Sequence, residues 1–282
     1  MEAKTLLIEA LDVRWRKFRA ERKTCRKEFS EEAVHDLRVA TRHLLALFDL
    51  LRSILHHKRV QKIRRMLKDQ LDDLDELRDT QVLLVDVSEF VQELPALQAF
   101  QTALKKKEKK LLRQTRKAIE TRDVDGLKKR IENVRGMLVA LAEESLQDAM
   151  LAAADERFSH ALHTYAAMDT ENIPSIHRLR VAFKKFRYTF EIVHPILENF
   201  PESNFKRMHD YQSMLGEIQD LDVALQSVSD VLDASNPAVQ PVSDHYASRL
   251  RTAVFNFVED KGEVFTFWRN APNQPFPWES LL

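Results

Sequence analysis

The feature that most constrains this chain is that part of it occurs twice. Val34-His-Asp-Leu-Arg-Val-Ala-Thr-Arg-His43 returns as Ile176-His-Arg-Leu-Arg-Val-Ala-Phe-Lys-Lys185. His35 aligns with His177, Arg38 with Arg180 and Arg42 with Lys184, and the match runs on through Phe48 and Phe190, then Asp49 and Glu191. A second pair follows each copy at nearly the same offset. Leu77-Arg-Asp-Thr-Gln-Val82 matches Ile218-Gln-Asp-Leu-Asp-Val223, which sets Lys68 opposite His209 and Asp79 opposite Asp220. Two elements in one order at one spacing point to an internal repeat. The expected halves cover approximately residues 1–143 and 144–262 and are related by a pseudo-two-fold axis. Half a bundle buries itself poorly, so the halves are expected to fuse into a single domain over 1–282, with an irregular tail at 263–282.

Helical periodicity runs through both copies. Glycine occurs only 4 times in 282 residues, so few turns can rely on a left-handed glycine. Leu, Ala, Glu, Lys, Arg and Gln, the better helix formers, dominate. An all-α fold follows. Leu6, Leu7, Leu11, Trp15 and Phe18 mark one apolar stripe. Ser30 with Glu31 and Glu32 is a helix start, since the hydroxyl can cap exposed amides and acids suit the positive end of the dipole. That helix runs to about His56. Others are expected over 58–75, 80–92, 95–121, 124–142, 144–167, 174–198, 202–215, 221–233 and 237–260. Pro95, Pro174 and Pro237 fit first-turn positions. Pro195 falls near the end of its helix, where a kink is expected. Beyond Phe265, aromatics and prolines alternate without helical pattern, which reads as a tail packing its rings on the bundle or as a partner-binding or disordered segment.

Positioned on a helix at about 100° per residue, His35, Arg38 and Arg42 fall within roughly 60° of one another. Leu37, Ala40, Leu44, Leu47, Phe48 and Leu51 gather on the other side, with Val39 the one apolar intruder near the cations. In the second copy His177, Arg180, Lys184, Arg187 and Tyr188 share a side. Each row spans about 10–15 Å. Cations one turn apart repel each other unless solvated or paired. Their natural complement is a linear anion: Arg offers a planar fork to phosphate oxygens, Lys a mobile charge, His a titratable proton. Two such rows facing each other would form a positive groove that focuses its own field. The residues alone are equally compatible with a solvated face or an ion-paired seam, with Asp36 and Asp79 as partners; the duplication weighs toward function.

The doubled signature, with Lys184-Lys-Phe-Arg-Tyr188 in the second copy and Leu215-Gly-Glu-Ile-Gln-Asp-Leu-Asp-Val223 after it, closely resembles the two motifs of the CHAD family, the conserved histidine α-helical domains. The resemblance spans nearly the whole chain. It implies two four-helix-bundle-like halves with pseudo-two-fold symmetry, a basic central groove or pore that binds inorganic polyphosphate without catalysis, and association with polyphosphate granules. Carried onto this sequence, it makes His35, Arg38, Arg42, Lys68, His177, Arg180, Lys184, Arg187 and Tyr188 the ligand contacts. Arg65, Arg78, Lys185 and Lys206 are weaker candidates. The chain departs from the family where His43 and Leu45 replace further basic residues, where His209 stands at a position commonly lysine, and where Gln219 lacks the charge of Arg78. Family members are often fused to a triphosphate-processing CYTH domain; none fits here, since the resemblance uses up the chain.

Composition narrows the alternatives. Net charge is zero, yet the stretch 105–135 is strongly basic and the segment from Glu202 onward is acidic, so a local polyanion site is compatible with a neutral whole. Cys25 is the single cysteine, which excludes an internal disulfide and a thiolate metal cluster. Met1–Arg22 is amphipathic and charged, unlike a signal peptide, and no run of about twenty apolar residues exists. A cytoplasmic protein with no membrane partner is the expectation.

The remaining motifs read as structural. Lys105-Lys-Lys-Glu-Lys-Lys110 with Arg113, Arg116 and Lys117 reads as a solvated face or an extension of the anion path; without interleaved aromatics it does not suggest sequence-specific nucleic-acid binding. His56-His57 is expected to interact with the carbonyls of a helix end. A metal between His35 and His177 is disfavoured by the neighbouring arginines, and no cofactor is indicated. Glu217, Asp220 and Asp222 are expected to orient the cations and to cap a helix starting near Leu221. No nucleophile–base pair or paired-carboxylate site is recognisable, so the chain is read as not an enzyme. Two other readings stay open: a histidine phosphotransfer or polyphosphate-processing enzyme, and an adaptor docking an acidic protein partner.

Overall fold

The structure, a computed structural model, describes residues 2–233 and 235–279. These residues form nine α-helices and no strand: α1 (Ala3–Glu28), α2 (Glu31–Leu55), α3 (Lys58–Phe90), α4 (Leu97–Thr121), α5 (Val124–Val139), α6 (Leu146–Ala166), α7 (Ile173–Val193), α8 (Ser203–Val231) and α9 (Gln240–Asp260). Short 3-10 turns occupy His194–Ile196, Pro237–Val239 and Lys261–Thr266. None of the described helices is long and apolar enough to cross a membrane. The helices pack as two compact units, each drawn from several stretches of chain. Unit 1 comprises Met1–Asp79, Lys110–Ala154 and Arg187–Glu198; unit 2 comprises Thr80–Lys109, Asp155–Phe186 and Asn199–Leu282.

Helix ends follow local chemistry. The Ser30 hydroxyl accepts from the Ala33 amide at 3.1 Å and Glu31 and Glu32 occupy the first turn of α2, as the sequence predicts. Phe29 ends α1 and His56 ends α2, both in the left-handed region, with φ 46° and 47°. The His56 backbone amide, not its ring, meets the helix carbonyls, donating to Arg52 O at 3.2 Å. The His57 ring instead serves the next helix, accepting from the Arg59 amide at 3.1 Å. Pro195 stops α7 at Val193 because it has no N–H for the Glu191 carbonyl and its ring crowds that group. His194 Nδ1 lies 3.2 Å from this carbonyl.

Two helices are longer than the sequence reading. α3 continues through 76–79 and α8 continues through Gly216, where the reading placed breaks. The acids in both stretches look like caps, but no proline stops either helix, and Gly216 sits where an added Cβ would meet nothing. A helical glycine costs only about 1 kcal/mol relative to alanine. Asp220 and Asp222 are therefore interior helical residues and cap nothing.

In unit 1, α1 packs along α2 and touches α5. Leu7, Leu11 and Phe18 of the predicted stripe are fully enclosed, as are Leu37, Leu44, Leu47, Phe48 and Leu51 of α2. Burying each such side chain contributes about 1.5–3 kcal/mol. A polar latch fixes α2 against α3: the buried Thr41 hydroxyl donates to Leu37 O at 2.7 Å and accepts from Gln70 Nε2 at 3.0 Å.

In unit 2, α8 packs along α9, and an aromatic core of Phe183, Phe186, Tyr211, Phe257, Phe267 and Trp268 fills the interior. As far as Glu279, the tail packs onto this unit, and residues 280–282 lie outside the described residues. Phe267, Trp268 and Trp278 are buried, and Phe276 stacks on Trp278 at 4.7 Å. The Trp268 indole donates to Asp155 at 2.7 Å, and Arg269 grips the same carboxylate at 2.9 and 2.7 Å. On α4, Lys105, Lys106, Lys107, Lys109 and Lys110 are exposed, as a solvated face requires.

Candidate functional site

The first row stands on α2 in unit 1. Its apolar stripe commits one side of the helix to the core, so His35, Arg38 and Arg42 emerge half-buried on the other. Arg38 Nε donates to Asp75 of α3 at 2.6 Å. One turn further along α3, Arg78 pairs with Glu31 at 2.8 Å. Asp75 and Glu31 thus anchor Arg38 and Arg78. Burial pushes the His35 imidazole below its ordinary value, and Arg78, Arg38 and Arg42 add to this against Asp36. Four cationic or potentially cationic groups thus act on one neighbourhood of unit 1.

Arg187 and Tyr188, from the last turns of α7, also belong to unit 1. Arg42 Nη1 donates to the Tyr188 hydroxyl at 3.5 Å, His43 meets the Tyr188 ring edge-on at 5.1 Å, and the Arg187 guanidinium lies over that ring at 5.3 Å. Tyr188 is itself buried, with 8% of its surface exposed, so its hydroxyl holds Arg42 from within. Glu191 completes the group, 3.3 Å from His43 and 3.4 Å from Arg187. Burial pushes the Glu191 carboxyl up, but the His43 hydrogen bond, Arg187 and Arg14 outweigh it and hold the group below its usual range. Its counterpart in the repeat, Asp49, is paired with Arg64. Lys68 and Arg65 are exposed on α3.

The second row begins in unit 2, where His177, Arg180 and Lys184 are half-buried on α7 and Lys185 is exposed. Arg180 borders a cavity of about 720 Å³. The cavity is of mixed charge: Asp86, Asp210, Glu217 and Asp220 line it beside Arg180 and Arg249. Part of that acidity is already neutralised. Asp86 pairs with Arg249 at 2.8 Å and accepts from Tyr246 at 2.7 Å; Asp210 pairs with Lys206 at 2.7 Å. Among the described residues, no group of three or more His, Cys, Asp or Glu is arranged to hold a metal ion.

One detail links the rows. In both His35 and His177, Nδ1 is enclosed and has no hydrogen-bond partner. A buried N–H without an acceptor costs about 1–3 kcal/mol, more than a bare lone pair in the same place. In the neutral ring the proton therefore resides on Nε2, which is left as a donor suited to a phosphate oxygen.

The sequence reading missed Asp75, Glu31, Arg14 and the His43–Glu191 contact. Glu31 carried a helix-start signal and His43 and Glu191 carried a repeat signal, but only the tertiary packing reveals their partners.

Clustered basic side chains on a helix face of an all-α scaffold, with Arg38, Arg42 and Arg78 each steadied by an acid or a ring, point to the class of protein. The chain belongs to the CHAD family: the CHAD domain model matches residues 9–229. The structure is similar to the crystal structure of the CHAD domain from the plant Ricinus communis, with TM-score 0.66 and 16% identity over 93% of this chain and 88% of that one. It is also similar to PptA from Streptomyces chartreusis, with TM-score 0.61 and 14% identity over 92% of this chain and 99% of that one. At these identities the likeness establishes the fold. No curated protein matches the sequence.

Proposed function

We propose that this protein binds inorganic polyphosphate without turning it over, through the His35, Arg38 and Arg42 row with Arg78 in unit 1 and the His177, Arg180 and Lys184 row in unit 2. The observation that carries the reading is geometric: Arg38, held by Asp75 at 2.6 Å, and Arg78 of α3, held by Glu31 at 2.8 Å, cluster with His35 and Arg42 at the half-buried face of α2. Like charges held together in this way are relieved by a ligand dense in negative oxygens. The internal repeat and the CHAD membership supply the ligand class, and recruitment to polyphosphate granules in the cytoplasm belongs to the same proposal. Asp75 and Glu31 keep the unliganded row in place, and a phosphate oxygen takes over their role as acceptor.

Titration with polyphosphates of graded length, with orthophosphate as control, tests the reading. Affinity is expected to rise with length as more phosphoryl groups engage each row, and to fall steeply with salt through counterion release. The double variant R38E/R180E is expected to abolish binding with its helicity intact. Unchanged affinity in that variant overturns the proposal.

A further inference from the structure

The end of α1 carries Arg19, Arg22, Lys23, Arg26 and Lys27. Their spacing of three and four residues sets all five on one stripe of the helix, about 12 Å long. In unit 1 they line, together with Val124 of α5, a concavity of about 380 Å³. No carboxylate is among these lining residues. Glu21 of the same helix is tied to Lys17 at 2.6 Å, and Asp125 acts on Arg22 without lining the space.

A solvated basic face would leave all its cations in water, and four of these are exposed. Arg22 is different. It is half-buried, its Nη2 donates to the Ile119 carbonyl at 2.9 Å and the Arg122 carbonyl at 3.4 Å, and its Nε is enclosed with no hydrogen-bond partner. Burial, Arg26 and Arg122 all work against its charge, with Asp125 and Cys25 opposing them. Arg19 is steadied by the Trp15 ring at 6.0 Å. The helix therefore presents an anchored guanidinium flanked by four exposed cations on one stripe, a geometry whose repulsion an anion relieves.

The shape selects the anion. A single carboxylate neutralises one charge of five, and orthophosphate cannot span the stripe. No aromatic residue lines the concavity, which leaves a nucleobase nothing to stack on. We propose that this concavity is a second anion site of unit 1, sharing no residue with the His35 row, and that it takes a short run of phosphoryl groups. The phosphoryl run of inorganic tripolyphosphate and that of a nucleoside triphosphate share this chemistry.

Acylation of lysines on the full chain, read by mass spectrometry, locates the ligand directly. With tripolyphosphate present, Lys23 and Lys27 are expected to react about tenfold more slowly, while the exposed Lys58 of α3 is unchanged, because a bound polyanion shields only neighbouring amines. Equal protection by ATP extends the site to nucleotides; protection by tripolyphosphate alone restricts it to the inorganic chain. The variant R19E/R26E, changed at exposed positions, is expected to remove the protection. Unaltered labelling of Lys23 and Lys27 at saturating tripolyphosphate and ATP overturns the site. Lys68, Lys184 and Lys185 report on the two rows separately, so failure here and failure of the polyphosphate reading give different patterns.

Discussion

His35 and His177, matched in the repeat, share one unusual property: Nδ1 of each is enclosed and without a hydrogen-bond partner. The two positions of the signature thus impose one ring orientation in two separate units. Long-range ¹⁵N–¹H correlation spectra are expected to show the Nε2–H tautomer for the neutral form of both rings. An Nδ1–H signal for either ring contradicts this orientation.

The position of His35 has a consequence for stability against pH. Burial first, then Arg78, Arg38 and Arg42, depress its folded value, so the unfolded chain takes up a proton first as pH falls. His194, depressed by burial, and His245, depressed by burial and Arg249, behave in the same sense. The stability these neutral rings supply is present above the unfolded value of about 6.5 and is lost as pH falls through the folded values. Urea midpoints measured from pH 8 to 5 are expected to decline, and H35Q is expected to flatten the decline. A bound phosphate reverses the local field at His35, so anion affinity is expected to rise over the same interval.

Asp155 serves two donors of the tail, the Trp268 indole and both arms of Arg269. Asp155 and Arg269 are largely enclosed, at 10% and 15% side-chain exposure. Removing one member of such a pair strands the other, at a cost of about 3 kcal/mol. D155A is expected to lower the urea midpoint accordingly and to change tryptophan fluorescence as Trp268 loses its acceptor. An unchanged midpoint would show that the ring packing of Phe276 and Trp278 holds the tail unaided.

Much of this architecture is legible in the sequence because it is set locally. Ser30 with two following glutamates fixes the start of α2, and the spacing of Leu37, Leu44, Leu47 and Leu51 assigns the opposite face to His35, Arg38 and Arg42. Acidic stretches are less reliable: the acids at 75–79 and 217–222 resemble caps, yet α3 and α8 continue because no proline interrupts them. The aromatic tail had two local readings, and the packing of Trp268 and Arg269 on Asp155, more than a hundred positions away in the chain, is not encoded locally. Partner choice within the rows is the least legible part. Arg38 selects Asp75 over the nearer Asp36 through the packing of α2 on α3, which no local pattern encodes. The basic stripe of α1 did have a signal, five cations at helical spacing. Val124, which lines the concavity with them, and the Ile119 carbonyl of α4, which holds Arg22, come from distant sequence.

Tyr246 tests how unit 2 holds its mixed-charge cavity. Its buried hydroxyl donates to Asp86 at 2.7 Å while Arg249 pairs with the same carboxylate at 2.8 Å. A hydrogen bond to a charged group contributes about 1.5–3 kcal/mol. Y246F is expected to lose about 2 kcal/mol in urea unfolding, because Asp86 keeps its ion pair but forfeits a buried donor. A loss of a few tenths would mean that water from the cavity replaces the hydroxyl.

Asp75 offers the sharpest test of the first row, because its removal is expected to improve function. Its carboxylate occupies Arg38 Nε at 2.6 Å and stands where a phosphate oxygen would compete for the same donor. D75N keeps an acceptor of the same shape but withdraws the negative charge. With Asp75 partly exposed, that charge is worth roughly 1 kcal/mol of repulsion toward a bound polyanion. Polyphosphate affinity is expected to rise about fivefold in isothermal titration, with a loss of about 1 kcal/mol or less in stability, since the Asp75 end of the pair is open to solvent screening. The gain depends on Arg38 being the donor, so R38Q/D75N is expected to lose it. If D75N weakens binding instead, Asp75 is needed to hold Arg38 in place when the anion is bound, and the carboxylate is part of the site rather than its competitor.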